Sequence, residues 1–319
     1  MTKFEKGAEQ ERCLQSFLSA FIWQFGGFGH AAISARAKLA LGAILGLTGW
    51  VHDRLWLFLA TLGFLASAGW GLYALGSQRP HANRGTFLLI IGAFALHTLF
   101  LHQRGEEIGH CPITNLFETL AFFSWSLVLT YLVVGQTYRM SILGAFTAPV
   151  VFLINFFALA APIDLPSTLP HLGWQLELHA TLALLGLGVL GIAAMAGVAY
   201  LIQERQLKRH VLTSWFYTLP NVGRLELVQQ RVLVWGFVIF SAGAILGFFI
   251  PNHGVDDWVK ITWSAVVWCL YAALVVVLAL GRLSHKKTAL LSVAGYVFIL
   301  LTFWGINSLS EAHVFPHEG

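Results

Sequence analysis

The stretch WQLELHATLALLGLGVLGIAAMAGVAYLI, residues 174–202, decides the fold of this chain. From Leu178 to Gln203 the sequence contains no Asp, Glu, Lys or Arg. An uncharged apolar run of about 20 residues matches the length of a helix that crosses a bilayer. Membrane β-strands are about 10 residues long and alternate apolar with polar positions, and this run does neither. We therefore predict a transmembrane helix here.

Similar runs fill most of the chain. Of its 319 residues, 57% are hydrophobic and only 11% are charged, whereas an average soluble domain has about 25% charged residues. The mean hydropathy of +0.72 excludes a soluble globular protein and a disordered one. We predict an all-α fold, a polytopic transmembrane helix bundle in a lipid bilayer, and no nucleic-acid partner. The eight predicted spans are 55–76, 85–103, 113–134, 139–159, 175–202, 232–250, 259–280 and 287–307.

The first 54 residues fit this pattern poorly. Their apolar run at 39–51 has about 13 residues, which is short for a span, although a ninth short helix there is an alternative. We therefore divide the chain into an N-terminal extension of uncertain role (1–54), a transmembrane domain (55–313) and a short outward tail (314–319).

The basic residues of the predicted loops predict the orientation, since cytoplasmic loops carry an excess of Lys and Arg. Eleven of them lie in the loops 77–84, 135–141, 203–231 and 281–287, whereas the opposite loops contain only Arg104 and Lys260. The first set is therefore predicted to be cytoplasmic. The C-terminus is predicted to face outward, on the periplasmic side of a bacterial inner membrane.

Histidine is unusually frequent, with 13 residues against 15 acidic ones. In this topology six placeable histidines lie in outward loops or the tail, including His110 and His313. His179 lies at the outer end of the fifth span and His97 inside the second. Imidazole is a common metal ligand and an axial ligand of haem iron, although a single loop histidine is more often merely polar.

Other candidates are tryptophans and intramembrane polar residues. Trp174, Trp258 and Trp304 near span ends are predicted interfacial anchors, and they could also pack against a flat porphyrin. Buried ionisable residues in a membrane are functional candidates, which adds His97 and Glu118, with Asn115 one turn earlier. For Glu118 the alternative is a helix N-terminal role, near the positive end of the dipole.

The three cysteines, Cys13, Cys111 and Cys269, form no C-x-x-C or C-x-x-C-H motif. This spacing excludes a thioredoxin-like site and covalent c-type haem attachment to this chain. No acid–base or nucleophile constellation indicates a self-contained enzyme.

Four segments of the chain carry distinctive motifs: GHCPITNLFETLAFFSWS (109–126), WQLELHAT (174–181), WVKITW (258–263) and the region from Lys286 to His313. Together they resemble the CcsA/ResC cytochrome c assembly proteins. They keep the order and spacing of the family over about four-fifths of the chain.

The resemblance implies a cytochrome c biogenesis factor that binds haem b non-covalently at the outer face and presents it to apocytochrome c. By position, His179 and His313 match the family's two axial histidines, with Trp174, Trp258 and Trp304 beside them. It also implies a ResB-like partner subunit. The resemblance is also consistent with a role in a synthase complex that attaches haem, but no residue pattern in this sequence indicates that role.

Two departures from the family lead to an alternative. The loop PNHGVDD (251–257) lacks the family's tryptophan-rich motif, and 259–280 lacks the histidine that binds haem within the membrane, with Tyr271 and Val276 near that position. With these two departures, the chain resembles the HemX-like branch of the superfamily. The alternative function is therefore a membrane scaffold or regulator of haem metabolism that does not itself carry haem. A transporter is less well supported, because no pair of interrupted spans occupies corresponding positions in two halves.

Overall fold

The computed structural model describes residues 53–77, 82–109, 111–113, 115–138, 141–160, 174–210, 219–250 and 258–309. These ranges contain α-helices and one 3₁₀ turn but no strand, which confirms the predicted all-α bundle. The eight α-helices are α1 (Asp53–Ser77), α2 (Ala82–Ile108), α3 (Leu116–Thr137), α4 (Gly144–Ala160), α5 (Trp174–Arg209), α6 (Val222–Phe248), α7 (Trp258–Ala279) and α8 (His285–Leu309). Residues 1–52, which hold the predicted short ninth helix, lie outside the described residues.

The predicted count of eight spans is not confirmed. Seven of the eight helices are long and apolar enough to cross a membrane, and α4 is the exception. The segment predicted to span at 139–159 begins with a 3₁₀ turn, Ser141–Leu143, and its α-helix has 17 residues. Such a helix rises about 26 Å, which is short of the hydrocarbon thickness of about 30 Å.

Several helices extend beyond their apolar runs, so two predicted loops are shorter than expected. Helix α5 continues through polar residues to Arg209, where Lys208 Nζ lies 2.6 Å from Glu204 Oε1. Helix α6 begins at Val222, because Asn221 caps it by accepting the Arg224 amide. Helix α2 continues to Ile108, which moves Arg104 from a predicted outward loop into a helix.

Helices α3 and α5 form the centre of the bundle. In their most apolar windows, 72% and 78% of the residues are buried, against 17% in α7. Helix α5 packs against α6 along its length and also contacts α3 and α8, while α1 packs against α2 and α4. Five of the seven spans therefore lie around the two central ones, and the apolar surface of α7 is left for lipid.

Successive helices run in opposite directions, so their ends gather at two sides. One end contains Gly109, the starts of α3, α5 and α7, and the last residues of α4, α6 and α8. We call it the His179 end, because His179 lies in the second turn of α5. The opposite end contains the basic residues Arg84, Arg209 and Arg282, which lie at or beside helix ends.

Candidate functional site

His179 is held in one orientation by helix α6. Its Nδ1 lies 2.7 Å from the backbone carbonyl oxygen of Gly243. A carbonyl can only accept, so Nδ1 must donate and carries the proton of the neutral ring. The lone pair then resides on Nε2. This is the usual arrangement of metal-binding histidines, whose second nitrogen donates to a carbonyl or a carboxylate.

The imidazole of His179 occupies space left by a missing side chain on α6. A Cβ added to Gly247 would lie 2.7 Å from Cε1 of His179 and 2.8 Å from Nδ1, but 3.5 Å from Nε2. The ring edge that contains Nδ1 therefore rests on Gly247, and Nε2 is the farthest of these three atoms. His179 is half-buried, so the site keeps access from outside the bundle.

Of the predicted haem-binding set, the structure describes only the side chains of His179 and Trp174, and it does not bring these two together. Trp174 is the first residue of α5 and is 70% exposed. Five helical positions separate it from His179, a rotation of about 140° around the helix, so the two side chains leave α5 on different faces. Trp258 and Trp304 lie in α7 and α8 near the His179 end, but their side chains are outside the described part of the chain. His313 and His110 are also outside it.

Glu118 belongs to a buried ion pair between α2 and α3. Its Oε1 lies 2.9 Å from Nε of Arg104, and Glu118 is completely buried. Asn115 caps α3, since its side-chain oxygen accepts the Glu118 amide at 2.8 Å. The helix N-terminal role predicted as the alternative is therefore present in the structure. Arg104 also lies 3.7 Å from Glu107, so the guanidinium is shared by two carboxylates.

His97 lies in the protein core, away from the surface. Its side chain is fully buried in α2, with the rings of Phe64 and Phe100 at centroid distances of 6.1 and 6.2 Å. The imidazole of His97 is therefore packed among aromatic rings inside the bundle.

An aromatic cluster that the sequence did not single out joins α3, α7 and α8. Phe303 packs against Phe123 at 5.3 Å and against Trp263 at 5.6 Å, between ring centroids. The indole of Trp263 donates to Thr302 at 2.8 Å. These residues lie in three of the segments that resemble the family, but their contacts could not be predicted, because they depend on packing between distant helices.

The described residues offer no ready-made site for a metal ion held by several side chains. Within the described ranges, no group of three or more His, Cys, Asp or Glu side chains could hold a metal ion. An oriented single imidazole instead suits an axial ligand, because haem supplies the remaining nitrogens.

Seven apolar spans, two of them at the centre of the bundle, define a multi-pass membrane protein, with an oriented imidazole at one end of that bundle. The family model described as "Cytochrome C assembly protein" matches residues 113–313, which is more than half of the chain. The chain belongs to this family.

Individual relatives agree with this assignment. The chain is 27% identical over 283 residues to a cytochrome c biogenesis protein CcsA of Synechococcus sp. (strain CC9902), covering 79% of this chain and 91% of the relative. It is 25% identical to the CcsA of Guillardia theta over 67% of this chain and 79% of that protein. For the CcsA of Marchantia polymorpha, the identity is 24%, over 78% and 92% of the two chains.

Proposed function

We propose that this protein is a cytochrome c biogenesis factor that binds haem b at the outer face of a bacterial inner membrane and presents it to apocytochrome c. The observation that carries the proposal is the orientation of His179. Its Nδ1 is bonded to the Gly243 carbonyl, which leaves Nε2 as the nitrogen able to bind iron. The names of the relatives support the same process.

His179 and His313 are the proposed axial ligands. Haem bound there would have an imidazole on each side of its iron, which sets the redox potential through axial-ligand identity. The residues of this chain would supply ligation and apolar contact, with Trp174, Trp258 and Trp304 as the proposed walls. A ResB-like subunit is the proposed partner, since no catalytic constellation in the sequence indicates that the chain acts alone.

The orientation of the bundle supports an outward site. The His179 end contains α5 residue 179 and the last residues of α8, from which the segment to His313 continues. The basic residues Arg84, Arg209 and Arg282 lie at the other end, which the positive-inside rule assigns to the cytoplasm. Both proposed ligands would therefore face the compartment where cytochromes c are assembled.

Absorption spectroscopy tests the proposal. The full chain, purified in detergent from haem-replete cells, is expected to show a Soret band and a pyridine haemochrome of haem b. His179→Ala and His313→Ala should each weaken the band, and the double variant should abolish it. His102→Ala is a matched control, because this exposed histidine of α2 pairs with Glu106 at 3.7 Å and is not a proposed ligand.

The second candidate function is a HemX-like scaffold or regulator that binds protein partners without carrying haem. The observation in its favour is the loop 251–257, which contains no tryptophan. Haem-free wild-type protein that co-purifies with an enzyme of haem synthesis would support this function and contradict the haem-carrier proposal.

A further inference from the structure

Helices α5 and α6 are in direct backbone contact along a line of glycines. A Cβ added to Gly186 would lie 2.6 Å from the Phe240 nitrogen, and one added to Gly243 would lie 2.8 Å from the Ala183 nitrogen. Neither position has room for a side chain. Small residues at such contacts let two transmembrane helices approach closely, so the relative position of α5 and α6 is tightly determined here.

His179 lies in the next layer of this contact. It precedes Ala183 by four residues on α5, and Gly247 follows Gly243 by four residues on α6, so both continue the same line by one helical turn. At this layer the two backbones are not in direct contact, and the imidazole of His179 lies between α5 and α6 instead. It fills the space beside Gly247 and bonds to the carbonyl of Gly243.

We propose that Gly247 and the Gly243 carbonyl form a seat that positions His179 as an iron ligand. Gly247 supplies the space for the imidazole edge, and the carbonyl selects the tautomer. The inference rests on the proposed haem-binding function and extends it to two residues that do not touch haem. Gly243 and Gly247 are positioning residues, because they act on the iron only through His179.

The seat requires glycine at position 247. Ordinary contact with a Cβ begins at 3.4 Å, whereas Cε1 would be 2.7 Å from an alanine Cβ. Of these two groups the imidazole ring moves more easily, because it is the end of a side chain, whereas residue 247 is part of a helix backbone. An alanine would therefore push the imidazole away and break its bond to the Gly243 carbonyl. Losing such an outer partner lowers metal affinity by about 10- to 100-fold in other sites.

The first experiment is a haem titration of the purified full chain. We expect Gly247→Ala to weaken haem binding by about 10- to 100-fold and to shift the ferric spectrum from low spin toward high spin. Gly223→Ala is the matched control. It lies in the same helix at the opposite end, and a Cβ there has nothing within 4 Å, so wild-type affinity and spectrum are expected.

The second experiment is chemical rescue with free imidazole. It remains informative even if the clash between the new Cβ at position 247 and the His179 ring prevents the Gly247→Ala variant from folding. In His179→Gly the seat is empty, and added imidazole should bind in it and restore the low-spin spectrum. In His179→Gly with Gly247→Ala, the new methyl group meets no ring, so the protein should fold, but the seat is filled and rescue should fail. His179→Gly with Gly223→Ala should be rescued as well as the single variant.

The possible results distinguish a failure of the proposed seat from a failure of the proposed function. If the wild type binds no haem, the proposed function and the seat both fail. If His179→Ala lowers haem binding while Gly247→Ala has wild-type affinity and spectrum, or if imidazole rescues both double variants equally, the function stands and the seat is wrong.

Discussion

At the scale of single residues, the tertiary contacts change the interpretation of the polar candidates. Glu118 and Arg104 are 14 positions apart and form a buried pair at 2.9 Å. The sequence alone placed Arg104 in a loop, because hydropathy cannot show that a helix continues past its apolar run. From the sequence, Asn115 is a polar candidate in a span that begins at residue 113, whereas the structure shows Asn115 as the N-cap of a helix that begins at Leu116.

The Arg104–Glu118 pair predicts a large and specific loss of stability on substitution. Glu118→Ala removes the carboxylate that lies 2.9 Å from the buried guanidinium of Arg104, and removing one member of a buried pair costs about 3–5 kcal/mol. We expect the free energy of unfolding, measured by SDS titration in mixed micelles, to fall by about 3 kcal/mol. Glu106→Ala is the control, because its side chain is 62% exposed. Equal losses in the two variants would contradict a stabilising role for the buried pair.

The candidate site could be predicted only in part at this scale. His179 was chosen from its position at a span end and from the resemblance, but its carbonyl partner lies 64 residues away. That contact depends on how α5 and α6 are aligned, which no local pattern encodes. The glycines that set the alignment are present in the sequence, but an isolated glycine in a span indicates only that close packing is allowed.

At the scale of elements, the α5–α6 contact is the feature that positions the site. The spans themselves were predictable because apolar length is a local property. Their polar extensions were not, since residues 203–209 and 222–231 are helical without being apolar. The helix predicted at 139–159 is present as α4, but its late start at Gly144 was not predicted, because the 3₁₀ turn before it has a similar apolar composition.

Close packing of α5 on α6 predicts that Gly186→Ala is destabilising. Its Cβ would meet the Phe240 backbone at 2.6 Å, so a helix must shift, and overpacking of this kind costs about 1–3 kcal/mol. Thermal unfolding in detergent measures the loss. Gly92→Ala in α2 is the control, since a Cβ there meets nothing within 4 Å; it should be neutral or stabilising by up to about 1 kcal/mol. A stable Gly186→Ala variant would show that the two helices are not in backbone contact.

At the scale of the whole molecule, the distribution of basic residues predicts how the bundle is oriented in the membrane. His179 lies at one end of the bundle, and the described basic residues Arg84, Arg209 and Arg282 lie at the other. This asymmetry could be predicted from the sequence, because basic residues can be counted without knowledge of the fold. Consecutive spans must also alternate in direction, which assigns each loop to one side.

Fusions to alkaline phosphatase, which is active only outside the cytoplasm, test this orientation. A fusion after Gly319 is expected to be active, because the C-terminus is predicted to face outward. A fusion after His210, at the basic end of α5, is expected to be inactive. The reverse pattern would place His179 on the cytoplasmic side and contradict an outward haem site.

The most direct test of the central claim is the electron paramagnetic resonance spectrum of the purified ferric protein. We predict a low-spin signal typical of two imidazole ligands in the wild type, and its replacement by a high-spin signal or its loss in His179→Ala. A wild type without haem, or a low-spin signal that His179→Ala leaves unchanged, would contradict the claim that His179 binds the iron.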